Sequence, residues 1–276
     1  DNKQKGPIGK AYMHNGEKGF DTSGINLAKS KTGSVELGDL NGDNHIDVLI
    51  AGGQQSIIYL NKGSGNFIKK QELPGVNLGE AALGDLNGDN HLDIALVGNG
   101  YLNDGNGDFS ESNAGIKGSI NGAVALGDLN GDNHLDMVVS GKDSQDTKFT
   151  KAYMNDGNAQ FKASSEEFYG MMNGDIALGD LNGDNHVDIL MAGLHNSKIY
   201  YNDGNAAFSS ANSGNIKELK KVAAATVKIQ DLNEDDKPEI LIAGADKNGM
   251  DKTSLYLNKG GGRFNIAYGA LPNLRN

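Results

Sequence analysis

Carboxylates recur in this chain at a spacing suited to gripping a cation. Five nine-residue segments carry them: Asp39-Leu-Asn-Gly-Asp-Asn-His-Ile-Asp47, Asp85-Leu-Asn-Gly-Asp-Asn-His-Leu-Asp93, Asp128-Leu-Asn-Gly-Asp-Asn-His-Leu-Asp136, Asp180-Leu-Asn-Gly-Asp-Asn-His-Val-Asp188 and Asp231-Leu-Asn-Glu-Asp-Asp-Lys-Pro-Glu239. In the first, side-chain oxygens of Asp39, Asn41, Asp43 and Asp47 alternate along the loop, and the backbone carbonyl of His45 adds a fifth ligand. The second offers Asp85, Asn87, Asp89 and Asp93 with the carbonyl of His91, and the third Asp128, Asn130, Asp132 and Asp136 with that of His134. The fourth offers Asp180, Asn182, Asp184 and Asp188 with that of His186, and the fifth Asp231, Asn233, Asp235 and Glu239 with that of Lys237.

An all-oxygen set suits a hard cation. Calcium accepts six to eight such ligands in flexible geometry, whereas magnesium keeps its water and zinc prefers thiolate or imidazole nitrogen. The expectation is therefore four or five calcium ions. The alternative is a set of Asx-stabilised turns with no ion. Position four is glycine in four copies, as at Gly42, which permits a sharp turn, and asparagine at position six tolerates left-handed backbone angles. The fifth copy departs from this with Glu234, Asp236, Pro238 and Glu239, so its turn is expected to differ.

A second motif follows each loop: Tyr59-Leu-Asn-Lys-Gly-Ser-Gly-Asn-Phe67, Tyr101-Leu-Asn-Asp-Gly-Asn-Gly-Asp-Phe109, Tyr153-Met-Asn-Asp-Gly-Asn-Ala-Gln-Phe161, Tyr201-Asn-Asp-Gly-Asn-Ala-Ala-Phe208 and Tyr256-Leu-Asn-Lys-Gly-Gly-Gly-Arg-Phe264. A sixth copy, Tyr12-Met-His-Asn-Gly-Glu-Lys-Gly-Phe20, has no Asp loop before it. Each unit reads as four short strands. One precedes the Asp loop, and a second follows it and ends at Gly52, Gly98, Gly141, Gly193 or Gly244. A third runs into the tyrosine, and the Asn-x-Gly turn reverses it into a fourth near the phenylalanine. No long helical period is present; residues 215–226 come nearest to a helical turn. Four antiparallel strands repeated about an axis make a β-propeller, which protects sheet edges. The chain reads as one all-β domain over residues 1–276, with repeats beginning near 31, 78, 121, 173 and 222. Residues 1–30 supply part of another blade. Six blades with an incomplete first fits this pattern, and seven in a longer chain is the alternative. Both ends stop mid-pattern, as expected of a piece of a longer chain.

The Asp-x-Asn-x-Asp-x-x-x-Asp loops with their Tyr-x-Asn-x-Gly-x-x-x-Phe runs resemble the calcium loops of FG-GAP/VCBS-type repeats, found in integrin α-subunit propellers and secreted microbial proteins. The resemblance covers essentially the whole chain. It implies a propeller whose loops join the first and second strands of each blade, with structural calcium. Relatives include lectins, adhesion modules and parts of polysaccharide-degrading proteins.

Composition narrows the function further. The chain has no cysteine, so packing, closure and ions must stabilise it. No segment approaches the ~20 apolar residues of a membrane span. Three carboxylates in each loop account for the net charge of −11. No basic stripe suggests nucleic acid. Calcium sites of extracellular modules bind at roughly 10⁻⁴–10⁻³ M, which implies an extracellular, periplasmic or cell-surface setting. The loops and hairpins share one face and barely vary; the other face carries variable connections, where binding residues usually ride. Glu166, Phe168, Tyr169 and Met172, with His195 and the loop around Asp143, are the candidate ligand patch there. The four loop histidines are expected to pack over their loops. Glycoside hydrolysis needs two opposed carboxylates; Glu166 and Glu167 are adjacent, and no nucleophile–base set is apparent. The leading reading is a calcium-stabilised binding module for a glycan or an extracellular protein. A polysaccharide-acting enzyme or its non-catalytic module, and a pure scaffold, are the alternatives.

Overall fold

The computed structural model describes residues 9–14, 16, 19–22, 27, 33–76, 79–112, 114–210 and 219–267. Every regular element among them is a strand. A short N-terminal hairpin pairs β1 (Tyr12–His14) with β2 (Phe20–Thr22). Blade 1 follows with β3 (Ser34–Gly38), β4 (Asp47–Ala51), β5 (Gln55–Asn61) and β6 (Phe67–Pro74). Blade 2 has β7 (Ala81–Gly84), β8 (Asp93–Leu96), β9 (Asn99–Asn103) and β10 (Phe109–Ser112). Blade 3 has β11 (Val124–Gly127), β12 (Asp136–Lys142), β13 (Lys148–Asn155) and β14 (Phe161–Ala163). Blade 4 has β15 (Asp175–Gly179), β16 (Asp188–Ala192), β17 (Ser197–Asn202) and β18 (Phe208–Ser210), and blade 5 has β19 (Ala223–Gln230), β20 (Glu239–Ala245), β21 (Asp251–Asn258) and β22 (Phe264–Ile266). Each blade is an antiparallel sheet in sequence order.

The first strands touch in series, β3 to β7, β7 to β11, β11 to β15 and β15 to β19, which sets the blades around an axis in a propeller-like array. The second strands lie in the middle of each blade with neighbours on both faces. After the acid that opens each of them they are therefore mainly apolar rather than alternating; β4, β8 and β16 are buried along their full length. The cores form between blades. One cluster joins Leu49 and Ile58 of blade 1 to Ile94 and Tyr101 of blade 2, and the series continues to Leu190 and Ile199 of blade 4 against Val227 and Ile240 of blade 5. Full burial of such side chains stabilises by about 1.5–3 kcal/mol each.

Three expectations change. Residues 223–226 belong to β19, not a helix, because Ala225 and Val227 alternate inward while their neighbours face out; residues 215–218 of that segment lie outside the described residues. Gly141 and Gly244 sit inside β12 and β20, paired with Phe149 and Lys252, and do not end them. The repeat tyrosine of blade 4 is Tyr200, not Tyr201. Tyr200 opposes Ile189, as Tyr153 opposes Met137 and Tyr256 opposes Ile240. Residues 268–276, where the C-terminal end was expected to stop mid-pattern, lie outside the described residues.

Candidate functional site

Each Asp loop is organised by its first and last acids. Asp39 Oδ1 accepts from the backbone N–H groups of Asn41 (3.3 Å), Gly42 (2.8 Å) and Asp43 (3.2 Å), and its Oδ2 accepts from Asn44 (2.8 Å). The chain can fold back this tightly because Gly42 and Asn44 both have positive φ, 71° and 65°. Asp47 is fully buried at the other end. It accepts from the N–H of Leu40 (2.8 Å) and from the N–H of Asn61 in the hairpin (2.7 Å), so one carboxylate ties the loop to the turn beside it. Asp93, Asp136 and Asp188 repeat this role against Asn103, Asn155 and Asn202.

The middle carboxylate is the accessible one. Asp43 accepts from the N–H of His45 (2.9 Å) and from the Asn41 amide (3.0 Å). The same Asn-to-Asp bond links Asn87 to Asp89, Asn130 to Asp132 and Asn182 to Asp184. The loop histidines reach the neighbouring hairpin, and the ring of His45 also meets Asp43 of its own loop, Nδ1 to Oδ1 3.1 Å. Their rings pack on the hairpin glycines: a Cβ on Gly105, Gly157 or Gly204 would stand 2.6 Å, 2.5 Å or 2.4 Å from His91, His134 or His186.

Burial pushes the last acid of each of these loops upward, and the charges of its two loop partners add to the effect. Asp93, Asp136 and Asp188 reach about 6, and Asp47 shifts in the same direction. The three carboxylates of each loop therefore feel one another, and a cation relieves that repulsion. Among the described residues no three acidic or imidazole groups stand together as a preformed metal cluster. The donor chemistry nevertheless fits a hard cation. The two oxygens of Asp47 each accept one backbone N–H and keep a second lone pair, and the Asn41 amide on Asp43 holds a position that a cation can take.

The fifth loop keeps the turn, contrary to expectation. Glu234 has φ 61° where glycine stands in the others, and Asp236 has φ 62°, so the backbone follows the same path despite the side chains. Its side-chain network differs. The Asn233 amide donates to Glu239 (3.2 Å) rather than to Asp235, and Lys237 lies 3.5 Å from Asp235. A built-in ammonium beside the middle acid competes with a cation at this site.

The candidate ligand patch is divided. Tyr169, Met172 and His195 meet in a crevice between blades 3 and 4 of about 10 Å³, room for roughly one water. Phe168 packs edge-on against Tyr200 (5.0 Å) and Phe208 (5.3 Å), a core role. Glu166 faces a separate groove beside Asp184 and Asp203. Asp143 lines a third cleft, between blades 2 and 3, of about 500 Å³, the same volume as the Glu166 groove. Asn99, Lys117, Ser119, Ile120 and Gln145 share it, from variable-face connections and the linker between the blades. Lys117 donates to Asp143 (2.8 Å) and lies over the Phe149 ring (4.7 Å).

Two further features escaped sequence reasoning. The hairpin asparagines staple blade to blade: the Asn103 amide donates to Leu92 O in its own loop (3.0 Å) and to Leu40 O in blade 1 (2.9 Å). Recurrence of this asparagine in the hairpins of all five blades was the available signal. Near the axis, Glu80 hydrogen-bonds Asp175, whose oxygens also accept from the N–H groups of Ile176 (2.7 Å) and Val227 (2.8 Å). Burial first, then the charge of Asp175, pushes Glu80 up to about 9, so Glu80 carries the proton between them. Both occupy one repeat column with Ser34, Ala123 and Thr226, a signal visible only after the units are aligned.

This architecture of repeated Asp loops on four-stranded blades defines a class. The FG-GAP-like repeat model matches residues 39–96, 85–139, 128–191 and 180–242, and the chain belongs to that family. Among solved structures it is similar to an Agrocybe aegerita lectin that recognises non-reducing terminal N-acetylglucosamine, with TM-score 0.63 and 20% identity over 95% of this chain and 74% of that one. It is also similar to the V. cholerae biofilm matrix protein Bap1, with TM-score 0.43 and 16% identity over 83% of this chain and 38% of that one. No curated protein matches it. No helix among the described residues is long and apolar enough to cross a membrane.

Proposed function

We propose that the chain is a calcium-stabilised, extracellular carbohydrate-binding or adhesive module. The observation that carries the binding part is the cleft between blades 2 and 3. It is large enough for a sugar ring and pairs amide, hydroxyl and ionic groups with the apolar Val97 and Ile120. Such a mix of a few polar groups on an apolar floor suits a polar ligand with hydrophobic faces. The fold shared with an N-acetylglucosamine-recognising lectin supports the sugar class. Calcium would be held by Asp39, Asn41, Asp43, the His45 carbonyl and Asp47, and by their counterparts in the other loops. It would supply charge neutralisation and cross-link each loop.

A glycan array followed by calorimetry tests the binding reading. Asn99→Ala and Gln145→Ala are expected to weaken a verified sugar by about tenfold each, the effect of one or two lost hydrogen bonds. Binding that is unchanged in both variants rejects this cleft. The calcium reading is tested by elemental analysis after dialysis, with four or five calcium per chain expected, and by calorimetry with chelator. Saturating ion at about 100 times its dissociation constant stabilises by about 2.7 kcal/mol per site. Stoichiometric zinc, or a melting temperature indifferent to chelator, rejects it.

A further inference from the structure

Four copies of one interface join blades 1 to 5. In each, the glycine closing a blade's first strand leaves room for an apolar side chain of the next blade. A Cβ on Gly38 would lie 2.7 Å from Leu92 Cδ1, one on Gly84 2.5 Å from Leu135 Cδ1, one on Gly127 3.0 Å from Leu178 Cδ1, and one on Gly179 3.1 Å from Ile229 Cγ2. The hairpin asparagine crosses the same seam. Asn103, Asn155, Asn202 and Asn258 each donate to a carbonyl of their own loop and to the carbonyl of Leu40, Leu86, Leu129 or Leu181 in the blade before. Those four leucines are at most 1% exposed.

Blade 1 presents the inserting half of this interface to solvent. Val35, Leu37 and Ile46 are 60%, 63% and 53% exposed, although they match Ala81, Leu83 and Leu92 of blade 2 in register. The Asn61 amide donates to Ile46 O of its own loop (3.1 Å), and no described blade stands before it with a leucine carbonyl. Blade 5 presents the other half: Leu232, the counterpart of the four buried leucines, is 57% exposed. Gln230 there replaces the closing glycine. The β1–β2 hairpin covers only the outer part of blade 1. Met13 lies against Gly65, 3.1 Å from the position of a Cβ there, as Leu60 lies against Gly107 at 3.2 Å. The hairpin thus sits where the third and fourth strands of a preceding unit belong.

We propose that the open face of blade 1, formed by Val35, Leu37, Ile46 and the Asn61 amide, is a docking site for the first two strands and Asp loop of one further unit of this repeat. What the face must meet defines the occupant. Leu37 and Ile46 need a glycine at the end of its first strand. The second N–H of the Asn61 amide needs the carbonyl of its loop leucine. The β1–β2 hairpin then supplies an edge for its second strand. A second copy of this chain does not meet these needs. Each of its five strand–loop–strand units is already paired with its own third strand, and its exposed Gln230 offers no socket.

The probe is a synthetic peptide of residues 79–97, the first strand, Asp loop and second strand of blade 2, titrated into the 276-residue chain in calcium buffer. Saturable one-to-one binding and a raised melting temperature are expected. Leu37→Glu, a change at an exposed position, should weaken binding by about tenfold or more. A peptide carrying Gly84→Leu should not bind. The same residues joined after Asn276 by a flexible linker provide a second readout at high effective concentration; they should raise the melting temperature, and Gly84→Leu within the appended copy should abolish the rise. No gain from either form of the wild-type hairpin, or equal gains with Gly84→Leu, overturns the proposal. Concentration-dependent dimerisation of the chain that Leu37→Glu abolishes assigns the face to a second copy and also overturns it.

Discussion

Glu80 holds a proton near the axis at pH values where an ordinary carboxyl has lost it. Its value is raised on folding, so the folded chain retains a proton that the unfolded chain releases above about pH 4.5. Stability from this group is complete below that pH and is lost as pH rises toward 9. The wild-type melting temperature, measured at saturating calcium, should therefore fall more steeply between pH 5 and 9 than that of Glu80→Gln. Equal slopes would show that the pair does not titrate in this window. The hairpin asparagines give a second residue-scale expectation. Asn155→Ala leaves Leu135 O without its amide donor, whereas Leu86 O keeps the N–H of Ala159 (2.9 Å), so the change should cost about 1–3 kcal/mol, the cost of one orphaned group. Asn61→Ala releases the carbonyl of Ile46 without breaking a bond across a seam, and should cost less than Asn155→Ala in denaturant unfolding.

At the scale of the element, loop and hairpin form one unit. Gly157 is required twice, by its φ of 81° and by the His134 ring packed on it. Gly157→Ala should cost about 1–2 kcal/mol for the left-handed backbone alone, with a further loss from the ring contact. The double variant with His134→Ala should recover the contact part and leave the backbone part; a double-mutant cycle with no coupling would show that the ring moves aside freely. Asp132 is the accessible acid of loop 3, and its bonds stay within that loop: it accepts from the His134 N–H and the Asn130 amide, and its own N–H donates to Asp128 and Asn130. Asp132→Ala should lower the calcium count by one while the fold persists. Asp136→Ala, which removes a buried tie to both Leu129 and Asn155, should lose the ion and unfold blade 3 more readily. Similar melting temperatures for the two variants would refute this division of labour.

The whole molecule draws its stability from seams between blades. Each seam combines an apolar cluster, a glycine socket and an asparagine staple, so neighbouring blades are expected to unfold together. Stability in such arrays is approximately a sum of unit and neighbour terms. Hydrogen exchange should show the second strands of blades 2 to 4 as the slowest amides. The first strand of blade 1, with Val35 and Leu37 exposed, should exchange faster than its counterparts. Uniform protection of all five first strands would contradict a one-sided blade 1.

Repetition made much of this protein legible before any coordinates. An Asp loop that recurs five times with its oxygens in alternate positions reports both a strand–loop–strand unit and its donor chemistry, because local spacing alone fixes them. The turn residues did the same for the hairpins. Register within blade 4 was not legible: two adjacent tyrosines, Tyr200 and Tyr201, satisfy the motif equally, and only pairing with Ile189 chooses between them. Loop 5 was misjudged because side-chain preference forbids what a well-bonded turn can impose on Glu234. The ligand patch depended on how far apart neighbouring blades stand. Phe168 and Tyr169 look alike in a sequence, yet one packs into a core and the other lines a crevice too small for a sugar. The cleft at Asn99, Lys117 and Asp143 and the Glu80–Asp175 pair unite segments from different units. Local spacing carries no information about such pairs, so only the packing of one blade on the next decided them.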